Sequence, residues 1–467
     1  MKVILSGYNV DLDGLKEVKK NPEAVLTPET FSAAYARISR SPKTIPHLRA
    51  IARHEITKAR DQNRRIIYEM GHHSVAEHSV FNFDIIRISR LAVEYLESHR
   101  LMSYTEASQR YIRWATQYLI PNEIKKANLT KLFFNTIKNQ VKTYNTLAKE
   151  LNHFETKFAK PIEDARYVTS LAMTTQLGTT MNARNLELLI RRFASSNIEE
   201  VQKLGRKLFD LVIKVAPSVI LFYEKNNFDC KTYLELEKIH HRDTKTQRKN
   251  NIEICRLIDY TKDGDEKLIT SLYCKANNSS FDRALKVVKK LTQDQKLEII
   301  KTAFKYAKLY DVALREFEHV YLTFELILSA SCFAQLKRHR IASITTQAYN
   351  PNLGVTIPDT IKESKQTDLF NQIIEKTEKT YDKIYKTLPH IAPYILTQAH
   401  RRRVLLTANL RELYHIARLR MDQTAQWDIR ELTNKIVEET YKVMPLSLTF
   451  CCAKDQYDKI YQRYFNN

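Results

Sequence analysis

The densest run of chemically able side chains is residues 98–111, SHRLMSYTEASQRY, where basic, acidic and hydroxyl groups share one short segment. Glu106, Ser108 and Arg110 alternate, so an extended backbone would turn all three to the same side. A carboxylate, a hydroxyl and a guanidinium presented together suit a nucleotide: Arg for phosphate, Ser to donate or accept, Glu to hold a hydroxyl or ring N–H. A surface loop closed by its own ion pairs would use the same residues, so this segment alone leaves both readings open. A second basic run, QLKRHR, occupies 335–340. A third segment, 409–430, NLRELYHIARLRMDQTAQWDIR, reads as a helix opened by Asn409. On it Arg411, His415 and Arg418 share a face at steps of four and three, while Arg420, nine residues past Arg411, lies across the helix. A capped basic helix can bind phosphate at its start, or it can simply be a solvated surface. The chain has no glycine-rich phosphate loop and no dinucleotide fingerprint, which excludes a Rossmann cofactor domain.

These segments sit on elements that occur twice. VILSGY (3–8) and RLIDY (256–260) each read as a short opening strand. EHSVFNFDII (77–86) parallels EHVYLTFELI (318–327), with Phe81, Phe83 and Ile85 alternating as Leu322, Phe324 and Leu326 do. SHRLMS (98–103) parallels RHRIAS (338–343), and MNAR (181–184) parallels ANLR (408–411). Between them, Phe133, Ile137, Val141, Tyr144, Ala148 and Leu151 step by three or four, as do Phe370, Ile374, Thr377, Tyr381, Ile384 and Leu388. Each half closes in a long amphipathic helix near a proline, Pro217 and Pro445. The reading is a tandem duplication: a domain over 1–225, a polar linker over 226–250 and a second domain over 251–467. Few glycines, mixed strands and long helices make the class α+β, each domain a sheet covered by helices.

A chain of 467 residues suits two domains, and 43% hydrophobic with 27% charged residues is a globular composition. The six cysteines are scattered without a CxxC pair, which excludes a disulfide framework and predicts reduced thiols. Cys230, His240, His241 and Cys255 fit no common zinc finger, so no metal is expected. No apolar run spans a bilayer and no signal-like stretch opens the chain, so the expected address is the cytoplasm, with no membrane partner. The net charge of +22 would attract polyanions, but lysine and arginine are spread along the chain rather than gathered in one arm, which argues against a nucleic-acid binder.

Taken in order, the motifs resemble those of flavin-dependent thymidylate synthases. That family carries an RHRxxSxxExSxRY-type signature, preceded by HxSxxEH and a phenylalanine-rich strand and followed by ARxxLP, NxR and LRxxxxAQxEIR. The first half has HHSVAEH (72–78), SHRLMSYTEASQRY, ARYVTS (165–170) and NARNLELLIRR (182–192); the second has REFEH (315–319), QLKRHRIAS (335–343), NLRELYHIARLR (409–420) and AQWDIR (425–430). The likeness covers nearly the whole chain. It implies dUMP as substrate, FAD as cofactor, NADPH and methylene-tetrahydrofolate as co-substrates, and reductive methylation of dUMP to dTMP. Related readings are a pyrimidine C5-modifying enzyme acting on another nucleotide, and a catalytically dead duplicate that binds nucleotide or nucleic acid.

Each half departs from the family pattern where the other keeps it. The first retains Glu106, Ser108 and Arg110, and His72 and Ser74, but has Ser98 and Tyr95 in place of the leading Arg and the preceding Gln, and NIEEVQ (197–202) in place of AQxEIR. The second retains Gln335, Arg338, His339, Arg340, Asn409, Arg411, His415 and Arg420, but has Thr346, Ala348 and Asn350 in the loop and Ala313 and Arg315 for HxS. The ARxxLP arginine is Arg166 in the first half and Pro393 in the second, so pairing by halves leaves this loss uncompensated. The resemblance implies dUMP contacts at Glu106, Ser108, Arg110, Arg166, Gln335, Arg338 and Arg420, with Arg420 the catalytic cation. It implies FAD contacts at His72, Ser74, Glu106, Arg338, His339, Arg340, Asn409, Arg411 and His415. Composite sites built from both domains, in a homodimer that makes a four-domain pseudo-tetramer, complete the expectation.

Overall fold

The computed structural model describes residues 1–21, 24–112, 117–154, 161–239 and 253–465. Among these, eight strands form two four-stranded antiparallel sheets of the same topology. β1 (Lys2–Tyr8), β2 (Val80–Ser89), β3 (Ser103–Glu106) and β4 (Thr174–Asn182) take the order β1-β2-β4-β3; β5 (Cys255–Tyr260), β6 (Tyr321–Ser329), β7 (Ser343–Thr346) and β8 (Arg401–Asn409) repeat it. Alternation sets which face is buried: Phe81, Phe83 and Ile85 on β2 are buried, as are Leu322, Phe324 and Leu326 on β6. Helices cover both sheets, so the chain is α+β with two copies of one domain. Among the described residues no helix is long and apolar enough to cross a membrane.

The helical periodicities appear as Thr130–Glu150 and Thr367–Tyr385, and the closing helices as Glu199–Val212 and Trp427–Tyr441. Two expectations change. Residues 409–430 are not one helix: Leu410–Arg420 stops where Asp422 accepts from the Thr424 backbone N–H at 2.8 Å, and a new helix starts at Trp427. The stretch expected as a linker carries a helix, Asn227–Ile239, tied to the first domain through Arg191 Nε and Asp229 at 2.9 Å; residues 240–250 of it, with His240 and His241, lie outside the described residues.

The chain forms two compact units, and each half lends a segment to the other's unit. The first comprises Met1–Lys142, Thr169–Lys245 and Glu375–Ile395; the second comprises Thr143–Val168, Thr246–Ile374 and Leu396–Asn467. Inside the first unit the lent segment is held by Tyr394, whose hydroxyl donates to Glu200 at 2.7 Å and whose carbonyl accepts from Ala172 N–H at 2.9 Å. Inside the second, the Tyr167 hydroxyl donates to Asp428 at 2.8 Å and its carbonyl accepts from Ala399 N–H at 2.9 Å. A serine at the end of the second strand of each sheet joins in: Ser89 donates to Glu200 and Ser329 to Asp428, both at 2.6 Å. Burial pushes both carboxyls above the ordinary carboxylate range. Both units keep this Ser–carboxylate–Tyr junction, so Tyr394→Phe should cost about 1–3 kcal/mol by urea unfolding, and Tyr167→Phe more, because its hydroxyl also accepts from the buried Gln426 Nε2.

Candidate functional site

In the second unit three pieces of chain bring the basic residues together. Ser329 ends β6 and caps the helix Ala330–Leu336 by accepting from Cys332 N–H at 2.9 Å; this helix carries Ser331 and Gln335 and ends in the turn with Arg338, His339 and Arg340. Asn409 ends β8 and caps Leu410–Arg420 by accepting from Glu412 N–H at 2.8 Å, which sets the rotation of Arg411, Glu412, His415 and Arg420. The lent segment supplies Arg166, whose Nη2 donates to Ser331 Oγ at 2.8 Å and whose Nε donates to the Glu163 carbonyl at 3.1 Å. Pairing by halves is therefore corrected. Arg166 belongs to the unit that keeps Gln335 and Arg420, and Pro393 falls in the other.

Arg420 is fixed on two sides. Its Nε donates to His339 Nε2 at 2.9 Å, and its Nη2 donates to the Gln335 carbonyl at 3.3 Å. His339 is only 2% exposed, and burial, then the Arg420 and His415 charges, hold its pKa well below the ordinary value. The imidazole is neutral at neutral pH, as it must be to accept from a guanidinium. The Gln335 amide is fixed by a directed chain: its Nε2 donates to Gln426 Oε1 at 3.1 Å, and Gln426 Nε2 donates to the Tyr167 hydroxyl at 2.8 Å. That hydroxyl in turn donates to Asp428, so the carboxylate at the end of the chain dictates the orientation of each amide before it.

Other residues have structural partners. Arg411 pairs with Glu318 at 2.6 Å and donates to the Ala313 carbonyl at 2.7 Å. The first unit repeats the ion pair with Arg184 and Glu77 at 2.6 Å. His415 lies edge-on to His339, ring centres 5.6 Å apart, while Arg338 and Arg340 are exposed.

In the first unit the expected alignment of Glu106, Ser108 and Arg110 does not hold. β3 ends at Glu106, which is buried and paired with Arg90. The chain then turns, with Ser108 O accepting from Ile112 N–H at 3.1 Å and Ser108 Oγ from Arg110 N–H at 3.3 Å, so the alternation of an extended segment stops there. His72 and Ser74 line a cavity of 530 Å³ together with Arg37, Arg40, Arg65 and Gln62.

Comparing the units position by position separates scaffold from candidate chemistry. The Ser–carboxylate–Tyr junction and the Arg–Glu pair occur in both. The Arg420, Gln335 and Gln426 positions are Phe193, Tyr95 and Ile198 in the first unit, and Phe193 packs edge-on against His99 at 5.6 Å. Sequence reasoning missed Ser331, Glu412, Gln426 and Tyr167 as neighbours of the site. Glu412 and Gln426 were marked only by differing between the repeats, against Asn185 and Ile198, while Tyr167 matches Tyr394 and carried no such signal.

The family model described as thymidylate synthase complementing protein matches residues 23–218 and again 256–446. A flavin-dependent thymidylate synthase of Clostridium tetani is 32% identical over 220 residues, 44% of this chain and 84% of that protein. At tandem length, a UPF0159 protein of Chlamydia pneumoniae is 22% identical over 425 residues, covering 84% of this chain and 80% of that one. A UPF0159 protein of Thermoplasma acidophilum is 22% identical over 485 aligned residues, 88% and 93% of the two chains. Among solved structures, the flavin-dependent thymidylate synthase of Helicobacter pylori complexed with FAD and dUMP aligns with 48% of this chain and all of its own, at 20% identity and a TM-score of 0.33.

Proposed function

The chain belongs to the thymidylate synthase complementing protein family, and from that premise we propose that it methylates dUMP to dTMP reductively, with FAD as cofactor and methylene-tetrahydrofolate and NADPH as co-substrates. The observation that carries this reading is Arg420, a guanidinium whose plane is set by His339 and the Gln335 carbonyl, in the unit that also holds Arg166. Ser108, Arg110, Arg166, Gln335 and Arg338 are the proposed nucleotide contacts, while Glu106, expected among them, is held by Arg90 and fixes the strand end before the loop. Arg420 is the proposed catalytic cation: placed at the uracil, a fixed positive charge favours the form that has lost its N3 proton and so makes C5 nucleophilic. Arg166 and Arg338 carry charge suited to the phosphate.

The donor set around His72 and Ser74 fits a diphosphate-bearing cofactor, because three arginines share their cavity. FAD, when bound and reduced, supplies the hydride. His72, Ser74, Arg338, His339, Arg340, Asn409, Arg411 and His415 are the proposed residues that hold it. Asn409 caps its helix and Arg411 pairs with Glu318, so their part is to fix the helix start from which His415 projects.

The deciding experiment is anaerobic tritium release from C5-labelled dUMP in the presence of methylene-tetrahydrofolate and NADPH; a flavin-loaded protein that releases none overturns the reading. Flavin content gives a further expectation. Only the second unit keeps the RHR run, whereas the first has Ser98 at its head, so about one FAD per chain should be measured against amino-acid analysis. Correspondingly, Arg338→Ala should abolish flavin retention. Ser98→Ala, whose hydroxyl donates to the Tyr95 carbonyl of its own turn at 2.7 Å, should leave it unchanged.

A further inference from the structure

The two units share one scaffold, so they can be read as an internal control. Three positions around the histidine of the RHR turn differ between them: Tyr95 against Gln335, Asn185 against Glu412 and Phe193 against Arg420. In the first unit His99 turns Nδ1 to the Tyr95 carbonyl at 3.2 Å, Asn185 stands on the next helix, and Phe193 occupies the end of that helix. In the second unit the carbonyl matching that of Tyr95 belongs to Gln335, and it is taken by Arg420. The His339 Nδ1 therefore faces elsewhere. It lies 3.5 Å from Glu412 Oε1, long for a hydrogen bond but close for an electrostatic contact.

Both atoms are buried, and neither has a hydrogen-bond partner among the described residues. Their residues are 2% and 5% exposed, so bulk solvent does not reach them. Glutamate at 412 thus accompanies arginine at 420, while asparagine at 185 accompanies phenylalanine at 193.

The proton positions follow from donor counting. A guanidinium has only donors, so His339 Nε2, which receives the Arg420 Nε–H, carries no proton. The neutral ring must then carry its proton on Nδ1, aimed at Glu412. We propose that Glu412 is a positioning residue for Arg420: by attracting the Nδ1–H of His339 it selects the tautomer whose Nε2 can hold the guanidinium. Without an acceptor at 412 the other tautomer gains nothing and loses nothing at Nδ1, and it would set a ring N–H against the Arg420 Nε–H. Two donors facing each other release the guanidinium from its plane. The consequence for turnover rests on the proposed role of Arg420 at the nucleotide; the tautomer itself does not.

The test uses the flavin-loaded full chain labelled with 15N in histidine, with the His339 signals identified by their loss in His339→Gln. The wild-type ring should be protonated at Nδ1 and bare at Nε2. Glu412→Leu should populate the Nε2-protonated ring and lower kcat for tritium release about tenfold, with KM for dUMP and flavin content unchanged. Glu412→Gln keeps an acceptor oxygen and should stay within about twofold of wild type in both readouts. If the leucine variant does not fold, Glu412→Ala replaces it. A wild-type His339 protonated at Nε2 overturns the proposal, and so does a Glu412→Leu protein with wild-type tautomer and kcat. A shifted tautomer in a protein whose wild type releases no tritium sustains the positioning role and overturns the reaction instead.

Discussion

Arg420→Ala should lower kcat for tritium release from C5-labelled dUMP by about a hundredfold to a thousandfold, the usual loss when one preorganised charge at a developing anion is removed. The residue lies at the C-terminal end of its helix, where the dipole favours a cation, and its guanidinium is fixed by His339 and Gln335. None of these contacts holds the surrounding fold together on its own, so flavin content and urea midpoint should stay near wild type. The loss should also depend on pH. The uracil N3–H ionises unaided only in the alkaline range, so the cation matters most at neutral pH and the deficit of the alanine variant should shrink as pH rises. A deficit constant with pH would place the role of Arg420 elsewhere than at the N3 proton, and activity near wild type at neutral pH would remove it from the chemistry.

Much of this was legible in the sequence, for reasons that are local. Alternation on β2 and β6 follows from one buried face, and the steps of three and four in Thr130–Glu150 follow from one apolar stripe. Asn409 announces its helix because a short polar side chain can satisfy the first free N–H groups. The break after Arg420 was missed because Asp422 ends the helix with an Asx turn inside a stretch whose spacing still looks helical. Glu106 was expected to face a ligand, but Arg90, sixteen residues earlier at the start of the helix Arg90–Glu97, takes its carboxylate. No local pattern could give that pairing. Nor could any pattern tell which unit Tyr167 and Tyr394 would dock into, since the two segments are alike and the choice depends on chain connectivity. The apparent loss at Pro393 came from that one hidden fact.

The same exchange predicts that neither half folds alone. Residues 1–225 lack Glu375–Ile395, from which Ile384, Ile391, Tyr394 and Ile395 are buried within the first unit. Four such side chains stabilise a domain by roughly 6–12 kcal/mol, comparable with the whole net stability of a domain, about 5–15 kcal/mol. Polar losses add to this. Gln140, 1% exposed, donates to Thr377 and to the Ile395 carbonyl, both at 2.9 Å, and Glu200 would keep only Ser89 on a buried carboxyl. Residues 251–467 lack Thr143–Val168 and would leave Asp428 without Tyr167, Trp427 Nε1 without Asp164 at 2.7 Å, and Ser331 without Arg166. Expressed singly, each half should be insoluble or unfold without a cooperative transition; expressed together as separate chains, they should recover as a soluble one-to-one complex. Tyr394→Phe in one chain and Tyr167→Phe in the other should then each weaken that complex, because each hydroxyl crosses from the half that encodes it to the unit that uses it. A single half that is monomeric and unfolds cooperatively would mean that each half completes its own unit, and the exchange would be refuted.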